Sequence, residues 1–483
     1  MTNITDYLQK QKQSNPDKIF VKTENSCITF KETFDRVEKL SSIINQFPEK
    51  TVISIMFDNS IEFIISYFAI IKSNCIVHIM SPTISKMNFS KQIKSCDPKM
   101  ILTLNKFKKE FDDVEKSCNL VDFYEFEKQN HVSKINEFSE IASLLYTSGT
   151  TSSPKGVPIR NSNIMFTTKN ISNILEYNNS DIDVMPLSLS HSFGLGCLHV
   201  SLYVGSTFIL HKNSMNVLDI ISSVKENNAT TFAAVPTTLT SIVNNFPEKF
   251  AEKCKGLRLI ITNSTKISKD TVQKILKLLP NTKLATYYGL TEASRSTFMI
   301  FNETENKDES VGKVAPGVKI KIVKDKEESK NGEIWIKGEN VIENYWNSEF
   351  PEKFSDGWLK TGDVGYFDVD KFLYLTGRKD DIINIGGEKV NPIEIENVVK
   401  TMDLVEEAIA IGIKHELFGQ VVKLLIKTVG NEKMNTSHII THCKKNLERY
   451  KIPLEVEFVP DFPKNEHGKI IRFKIRDNHH EGN

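Results

Sequence analysis

The densest group of side chains that could do chemistry in this sequence is a short loop, LLYTSGTTSSPKGVP, at residues 144–158. An apolar run typical of a strand ends there in successive Thr, Ser and Gly residues, and Lys155 follows them. Backbone N–H groups, hydroxyls and one ammonium group are the donors that wrap phosphate oxygens. A polar surface loop would have a similar composition, so the loop by itself leaves both interpretations open.

The loop does not follow the Walker A pattern, G-x-x-x-x-G-K-[ST], which is the best-known phosphate loop. Counting from Gly149, the second glycine position holds Pro154, and the residue after Lys155 is Gly156. This spacing excludes a Walker-type nucleotide site.

Five further segments place charged or aromatic residues next to glycine turns. Four of them have an ordinary explanation when taken alone: a surface acid, a Gly-Asp turn, a Gly-Gly turn before a helix that begins at proline, and a solvated lysine. They are YYGLTE (287–292), WLKTGD (358–363), GRKDD (377–381), IGGEKVNPIEIE (385–396) and PKNEHGKIIR (463–472).

Together with TSGTTxxPKG, these segments follow the motif order of a known family over nearly the whole chain. The sequence resembles the acyl-adenylate-forming (AMP-binding, ANL) superfamily, which includes acyl-CoA synthetases, the adenylation domains of nonribosomal peptide synthetases, and luciferases. The resemblance implies an enzyme that joins a carboxylic acid to ATP as an acyl-adenylate, releases pyrophosphate, and passes the acyl group to a thiol.

The resemblance also implies how ATP and Mg²⁺ are bound. Tyr288 is expected to stack on adenine, with Gly289 in the same loop, while Thr291 contacts phosphate and Glu292 helps to hold Mg²⁺. A carboxylate is the expected hard ligand for a Mg²⁺ ion that bridges phosphates. The phosphates themselves are assigned to Thr147, Ser148, Gly149, Thr150, Thr151 and Lys155.

By the same resemblance, Asp363 and Arg378 hold the ribose, and Asp380 is the hinge between two domains. The segment between the first two, GYFDVDKFLYLTG, fits a β-hairpin that brings Asp363 and Arg378 to one end. Isolated Gly-Asp pairs are usually only turns, so the ribose role rests on the family context.

The last two motifs concern the thiol and the transition state. Gly386 and Gly387 match the segment that lines the pantetheine arm, and glycine lets backbone approach a ligand closely. Lys469 matches a lysine that enters the site during adenylate formation, where it would stabilise negative charge on the carboxylate and the α-phosphate.

The acid itself is indicated by the segment VMPLSLSHSFGLG, in which His191 matches the wall of the family's acyl pocket. Amino-acid-activating members carry an Asp here that pairs with the substrate ammonium, and this sequence has none. We therefore expect a small carboxylic acid without that cation. Asn263 and Ser264 replace smaller residues of the family pattern, and Ser152 replaces a glycine of the phosphate loop, where positive φ would be strained.

Several alternatives remain at this point. The favoured acceptor is CoA; the runner-up is the phosphopantetheine of a carrier protein, loaded by a stand-alone adenylation enzyme. A luciferase-like oxygenase and a non-catalytic nucleotide-binding protein are less favoured. The intact set of charged motif residues argues against a dead site.

The elements that would position these residues alternate between strand-like and helix-like runs. Val52–Met56 and Cys75–Met80 are predicted strands around a predicted helix, Ile61–Lys72, and the same alternation recurs in the middle of the chain. Apolar strands that alternate with helices predict an α/β fold with a parallel sheet covered on both faces. We expect αβα layers and a small β unit in residues 1–379, and a mobile α+β domain in residues 380–483.

The bulk composition excludes several other classes. With 62 basic and 61 acidic residues the net charge is +1, which gives no electrostatic reason to expect nucleic acid as a partner. The seven cysteines are scattered without CxxC spacing, which argues against a zinc site and a disulfide framework. The longest apolar window is too short for a membrane span, so we expect a cytoplasmic protein.

Overall fold

A computed structural model describes residues 3–111, 118–130, 136–147, 154–212, 216–324, 327–347, 350–385, 388–415, 417–431, 434–464 and 470–480. The chain divides into two compact units. The first comprises Met1–Lys319 with Ile336–Leu359, and the second comprises Ile320–Trp335 with Lys360–Asn483. The functional division at residues 379 and 380 stays a prediction, since compactness does not locate a hinge.

The helices within the described residues share the amphipathic or apolar patterns of a layered fold. They are α1 (Asp6–Ser14), α2 (Phe30–Ile44), α3 (Ile61–Lys72), α4 (Lys86–Cys96), α5 (Asn105–Phe111), α6 (Phe123–Phe126), α7 (Asn161–Ile174), α8 (Ser192–Val204), α9 (Val217–Glu226), α10 (Pro236–Asn245), α11 (Pro247–Lys253), α12 (Lys269–Leu278), α13 (Pro392–Val399), α14 (Thr436–Asn446) and α15 (Arg472–His480).

The strands are mostly short. Those up to residue 314 are β1 (Ile19–Lys22), β2 (Cys27–Thr29), β3 (Val52–Met56), β4 (Ile76–Met80), β5 (Ile101–Thr103), β6 (Leu120–Asp122), β7 (Ile141–Thr147), β8 (Lys155–Arg160), β9 (Ile182–Met185), β10 (Thr207–Leu210), β11 (Thr231–Ala234), β12 (Leu259–Thr262), β13 (Lys283–Leu290), β14 (Ala293–Ile300) and β15 (Lys313–Val314). The later ones are β16 (Lys319–Val323), β17 (Gly332–Lys337), β18 (Phe354–Ser355), β19 (Trp358–Phe367), β20 (Leu373–Arg378), β21 (Ile383–Ile385), β22 (Glu388–Val390), β23 (Val405–His415), β24 (Gly419–Thr428) and β25 (Glu455–Phe458).

Two sheets form the first unit. One has the order β15-β14-β13-β12-β11-β9-β10-β1-β2, and the other has the order β6-β5-β3-β4-β7-β8. The inner strands pair in parallel, and antiparallel partners occur at the edges. Every residue of β3 and β4 is buried, as expected for parallel strands covered on both faces. The predicted α/β class is confirmed.

The helices begin where the local sequence supplies the missing hydrogen-bond partners. Thr29 and Glu32 form a reciprocal capping box at the start of α2, and the Ser60 hydroxyl accepts from the Phe63 N–H at the start of α3. The helix α3 has the bounds that the sequence predicted, and its residues from Ile61 to Ile71 are all buried except Glu62. A helix apolar on all sides belongs in the core.

The second unit contains the predicted small β and α+β parts. Its sheets have the orders β16-β17-β19, with β20 beside β19, and β22-β21-β24-β23, with β25 beside β24. Helices α13 and α14 pack on the second of these sheets around Val390, Ile395 and Ile439, which are fully buried. The longest strand pair in this part is β23 with β24, which runs from Val405 opposite Thr428 to His415 opposite Gly419.

Two further features concern the chain as a whole. Among the described residues, none of the helices combines the length and the apolar composition that a membrane crossing requires. The seven cysteines are free thiols, and all but Cys27 are buried.

A carboxyl group lies in the centre of the nine-stranded sheet. Asp183 in β9 is completely buried, and its Oδ1 accepts a hydrogen bond from the Thr231 hydroxyl at 2.9 Å. Its Oδ2 has no hydrogen-bond partner among the described residues. Burial raises the pKa of Asp183 to about 7, and the hydrogen bond from Thr231 offsets only part of that rise.

We expect Asp183→Asn to become progressively more stable than the wild type as the pH rises. The folded-state pKa of Asp183 lies above the unfolded value of about 3.9, so its contribution to stability is lost between these two pKa values as pH increases. Asparagine does not titrate. Its advantage in free energy of unfolding should grow by about 2 kcal/mol from about pH 5 to pH 7, measured by urea denaturation.

The exposed Asp403 offers a matched control. Asp403→Asn should shift stability equally at both pH values. An Asp183→Asn advantage that does not change with pH would show that the buried carboxyl does not titrate in this window.

Candidate active site

The predicted phosphate loop is flanked by an antiparallel pair. Strands β7 and β8 pair from Ile141 with Arg160 to Thr147 with Lys155, so the two ends of the loop face each other. The loop residues Ser148, Gly149, Thr150, Thr151 and Ser152 lie outside the described residues. Of the predicted phosphate ligands, the structure therefore places Thr147 and Lys155.

The ammonium group of Lys155 lies over aromatic rings. Its Nζ is 3.7 Å from the centroid of the Phe350 ring and 5.2 Å from that of the Tyr345 ring. Tyr345 itself is buried beside Val157 and Ile342. A cation over a ring face is held without a carboxylate, so the charge of Lys155 is not cancelled by these contacts.

The same tyrosine holds the predicted magnesium ligand. The Tyr345 hydroxyl donates a hydrogen bond to Glu292 Oε1 at 2.9 Å, and the Ile342 N–H donates to the Glu292 carbonyl at 3.0 Å. One side chain, Tyr345, thus contacts the predicted phosphate-binding cation and the predicted Mg²⁺ carboxylate. The sequence did not point to Tyr345, because its only signal is an aromatic pair with Trp346 inside a polar segment.

The donor set fits a Mg²⁺ ion that is carried by nucleotide phosphates. Among the described residues, no group of three or more His, Cys, Asp or Glu side chains could hold a metal ion alone. A single carboxylate such as Glu292 matches Mg²⁺, which usually takes one or two protein carboxylates and completes its shell with phosphate oxygens and water.

Tyr288 and Gly289 lie at the end of β13, and Thr291 and Glu292 form the tight turn that leads into β14. The sequence predicted an extended run that ends in a loop, whereas the structure continues as a hairpin in which Leu290 pairs with Ala293. A Cβ on Gly289 would lie 2.4 Å from the backbone nitrogen of Arg295, so glycine is required for the close approach of these two backbone segments.

The predicted acyl-pocket residues lie on neighbouring elements. His191 is the residue before α8 and is partly buried. Asn263, just after β12, donates through Nδ2 to the Tyr287 carbonyl at 2.5 Å, and Ser264 has φ of 99°. The polar residues at 263 and 264 therefore hold the loop in a strained conformation that L-residues seldom adopt.

A wider cleft of the first unit lies elsewhere. It has a volume of about 740 Å³ and is lined by residues such as Arg160, Lys337 and Glu343. Its described lining includes none of the predicted site residues, so size alone does not mark the candidate active site.

In the second unit, the predicted hairpin is present. Asp363 in β19 faces Arg378 in β20, and Arg378 Nη1 donates to Asp363 Oδ1 at 2.8 Å. Asp363 is buried, and its N–H donates to the Thr361 hydroxyl at 3.0 Å. The pair therefore places a hydrogen-bond acceptor, Asp363, beside a donor, Arg378. This arrangement could bind two hydroxyl groups on adjacent carbon atoms. Whether it binds ribose stays a prediction.

The structure describes one of the remaining predicted residues of this unit. Gly386, Gly387 and Lys469 lie outside the described residues, and Asp380 lies in the short 3₁₀ turn Lys379–Asp381. The two motifs that carry them are nevertheless joined, since Arg472 donates to both oxygens of the buried Glu396 at 2.8 and 2.6 Å.

Comparisons with known proteins agree with this geometry. Residues 8–346 match the AMP-binding enzyme family, and residues 394–469 match the AMP-binding enzyme C-terminal domain. The chain belongs to the AMP-binding enzyme family. The resemblance found in the sequence motifs is thereby confirmed.

Curated relatives and solved structures cover almost the whole of this AMP-binding enzyme. The 2-succinylbenzoate–CoA ligase of Bacillus subtilis (strain 168) is 27% identical over 99% of this chain and 98% of the relative. The oxalate–CoA ligase of Arabidopsis thaliana is 29% identical over 87% of each chain. The solved o-succinylbenzoate CoA synthetase from Bacillus subtilis, in complex with its acyl-adenylate intermediate, superposes with a TM-score of 0.87 at 27% identity over 98% of both chains.

We expect Tyr345→Phe to weaken the apparent affinity of this AMP-binding enzyme for Mg²⁺-ATP about fivefold. The substitution removes the hydrogen bond to Glu292, worth about 1 kcal/mol, and keeps the ring under Lys155. Titration of ATP at saturating acid in a pyrophosphate-release assay gives this affinity.

Tyr124→Phe is the matched control, since the Tyr124 hydroxyl donates to the Glu62 carboxylate at 2.7 Å on another part of the same unit. It should leave the ATP titration unchanged. Equal titrations for wild type and Tyr345→Phe would mean that Glu292 needs no positioning by this tyrosine.

Proposed function

We propose that this protein activates a small carboxylic acid with ATP and transfers the acyl group to CoA. The family match and the full-length CoA-ligase relatives confirm the enzyme class predicted from the sequence, an AMP-forming acyl-CoA ligase. The observation that carries the proposal is the contact of Tyr345 with both Lys155 and Glu292, because one side chain then touches a cation and the carboxylate that is proposed to bind the metal.

The proposed chemistry has two balanced steps. A carboxylate oxygen of the acid attacks the α-phosphorus of ATP, forming the acyl-adenylate while pyrophosphate leaves. The thiolate of CoA then attacks the acyl carbon, forming the thioester while AMP leaves. When bound, Mg²⁺ supplies charge neutralisation on the phosphate oxygens. A relative solved with ATP and magnesium ion, o-succinylbenzoate CoA synthetase from Bacillus subtilis, superposes with a TM-score of 0.86 at 27% identity.

Several of the predicted site residues have a proposed role in the first step. Lys155 and the hydroxyls of Thr147–Thr151 orient the β- and γ-phosphates, and Glu292 and Thr291 hold the metal and the phosphate. Tyr288 positions the adenine, and Asp363 accepts from the ribose hydroxyls beside Arg378. Lys469 would stabilise charge as the carboxylate approaches. Fixed donors aimed at the developing charge account for the largest share of such catalysis.

The second step is assigned to another arrangement of the C-terminal part. We propose that it turns about Asp380, withdraws Lys469, and brings the segment of Gly386 and Gly387 to the pantetheine arm. This proposal rests on the resemblance of the motifs and accounts for two chemically important segments at the far end of the chain. The cytoplasmic location stays a prediction.

The substrate is proposed to be a small acid that lacks an α-ammonium group, because no acidic residue follows His191 to pair with such a cation. Relatives at full length are named as ligases of oxalate and of 2-succinylbenzoate. A carrier protein as acceptor is not favoured, since these relatives are CoA ligases.

The test of the proposed function is acid-dependent pyrophosphate release from ATP across a panel of carboxylic acids, with and without CoA. We expect one class of small acid to release pyrophosphate, and CoA to raise turnover as acyl-CoA accumulates. Pyrophosphate release that CoA does not accelerate would overturn the CoA assignment and point to a carrier protein. No release from folded, ATP-binding protein would overturn the enzyme itself.

We expect Lys469→Ala to lower the rate of acyl-adenylate formation by at least 100-fold, because an interaction made with the transition state is removed. The same variant should still convert synthetic acyl-adenylate and CoA to acyl-CoA within about threefold of the wild-type rate. Lys474→Ala, at an exposed position on α15, is the control. Adenylation at the wild-type rate by Lys469→Ala would rule out its proposed role.

A further inference from the structure

Arg295 is a buried cation in the strand that follows the YYGLTE motif. It lies in β14 and is 4% exposed. Its Nη1 donates to the Ser294 hydroxyl at 2.7 Å, and its Nη2 donates to the Ser192 and Phe193 carbonyls, both at 3.2 Å. The guanidinium carbon is 4.8 Å from the centroid of the Tyr287 ring. All of these partners are neutral.

No carboxylate of the described residues pairs with Arg295. Two other partly buried arginines of the chain are paired: Arg258 with Asp181, and Arg472 with Glu396. An uncompensated buried charge is costly, and burial is normally tolerated when a counter-charge is supplied. A guanidinium has five N–H donors, and the three described hydrogen bonds involve only its two terminal nitrogens. Arg295 therefore retains its charge, since none of these partners is a carboxylate.

The guanidinium borders a small cavity with a mixed polar and apolar lining. The cavity has a volume of about 40 Å³, and it is lined by Arg295, Thr291, Ser294, Asn340 and His199 together with apolar residues such as Leu145 and Leu195. Among the described residues of this lining, Arg295 is the only one that carries a formal charge at neutral pH. The pKa of His199 is lowered to about 3 by burial and by the nearby Arg295 charge, so this histidine is neutral.

Two backbone features accompany this position of the guanidinium. A Cβ on Gly196 in α8 would lie 1.9 Å from Arg295 Nη2, so a larger residue at position 196 would displace the guanidinium. Arg295 also has φ of 55°, a left-handed conformation that is uncommon for a bulky residue. Strained backbone of this kind clusters at ligand sites.

We propose that Arg295 binds a second carboxylate on the acid substrate, which makes the enzyme selective for short dicarboxylic acids. Thr291, the predicted phosphate contact, lines the same cavity, so the cavity lies beside the reacting end of the substrate. A carboxylate matches the planar donor fork of arginine. The small volume suits a compact group such as a carboxylate. This inference rests on the proposed function.

The first test compares acids of equal chain length in the pyrophosphate-release assay with the wild-type protein. Malonate is compared with propionate, and succinate with butyrate. We expect kcat/KM to be at least 30-fold higher for one dicarboxylate than for its monocarboxylate partner. Equal or higher values for both monocarboxylates would overturn the inference while leaving the proposed function intact.

The second test uses variants at the cavity. Arg295→Gln should lower kcat/KM for the preferred dicarboxylate at least 100-fold, mainly through KM, and should lower the monocarboxylate value far less, so that the preference disappears. Gly196→Ala, which keeps the charge but displaces the guanidinium, should reduce the preference as well. Arg36→Gln, at an arginine paired with Glu127, is the control and should keep the preference.

A purely structural arginine gives a different pattern. Arg295→Gln would then lower kcat/KM for both kinds of acid by the same factor, or lower only the melting temperature, and the inference would fail. If no acid releases pyrophosphate, the proposed function fails separately. Calorimetric titration of malonate or succinate into ATP-bound protein then tests the inference. The wild type should bind one of these acids at least tenfold more tightly than Arg295→Gln does.

Discussion

The hydrogen bond from Tyr345 to Glu292 is the interaction on which the candidate active site of the first unit depends. The ring of Tyr345 lies below the ammonium group of Lys155, and the Tyr345 hydroxyl fixes the carboxylate that is proposed to hold the metal. A direct ion pair between lysine and glutamate would neutralise both groups and leave little for a nucleotide. A neutral aromatic residue that contacts both groups helps to position them and does not itself cancel either charge.

The same principle recurs in the interior of the first unit. Asp183 is buried with one neutral hydroxyl partner, His199 is held neutral by burial, and Arg295 donates only to carbonyls and a hydroxyl. Buried groups without counter-charges cost stability, and such groups cluster at functional sites because their free energy changes most when a ligand binds. The ion pairs of Arg258 and Arg472 show the structural alternative, in which the charges satisfy each other.

Local patterns predicted much of the fold. The helix Ile61–Lys72 was predicted with its observed bounds, since its N-cap and apolar run are adjacent in sequence. The hairpin that joins Asp363 and Arg378 was also predicted, because it closes over a short segment. The turn at Thr291 and Glu292 was expected to be a loop. Its tight geometry depends on Gly289 approaching Ala293 and Arg295, a contact that no periodicity reveals.

By itself the sequence determined the family, the α/β class and the motif residues. Each of these depends on short segments that can be recognised without knowing which residues lie beside them in space. The tertiary structure alone decided that Tyr345 links Lys155 to Glu292 and that Arg295 is buried without a carboxylate partner among the described residues. An arginine in a strand usually faces solvent, and its burial follows from the helix that passes it at Gly196. Residues so distant in sequence come into contact only when the sheet and its covering helices pack together, so local sequence patterns do not predict these contacts.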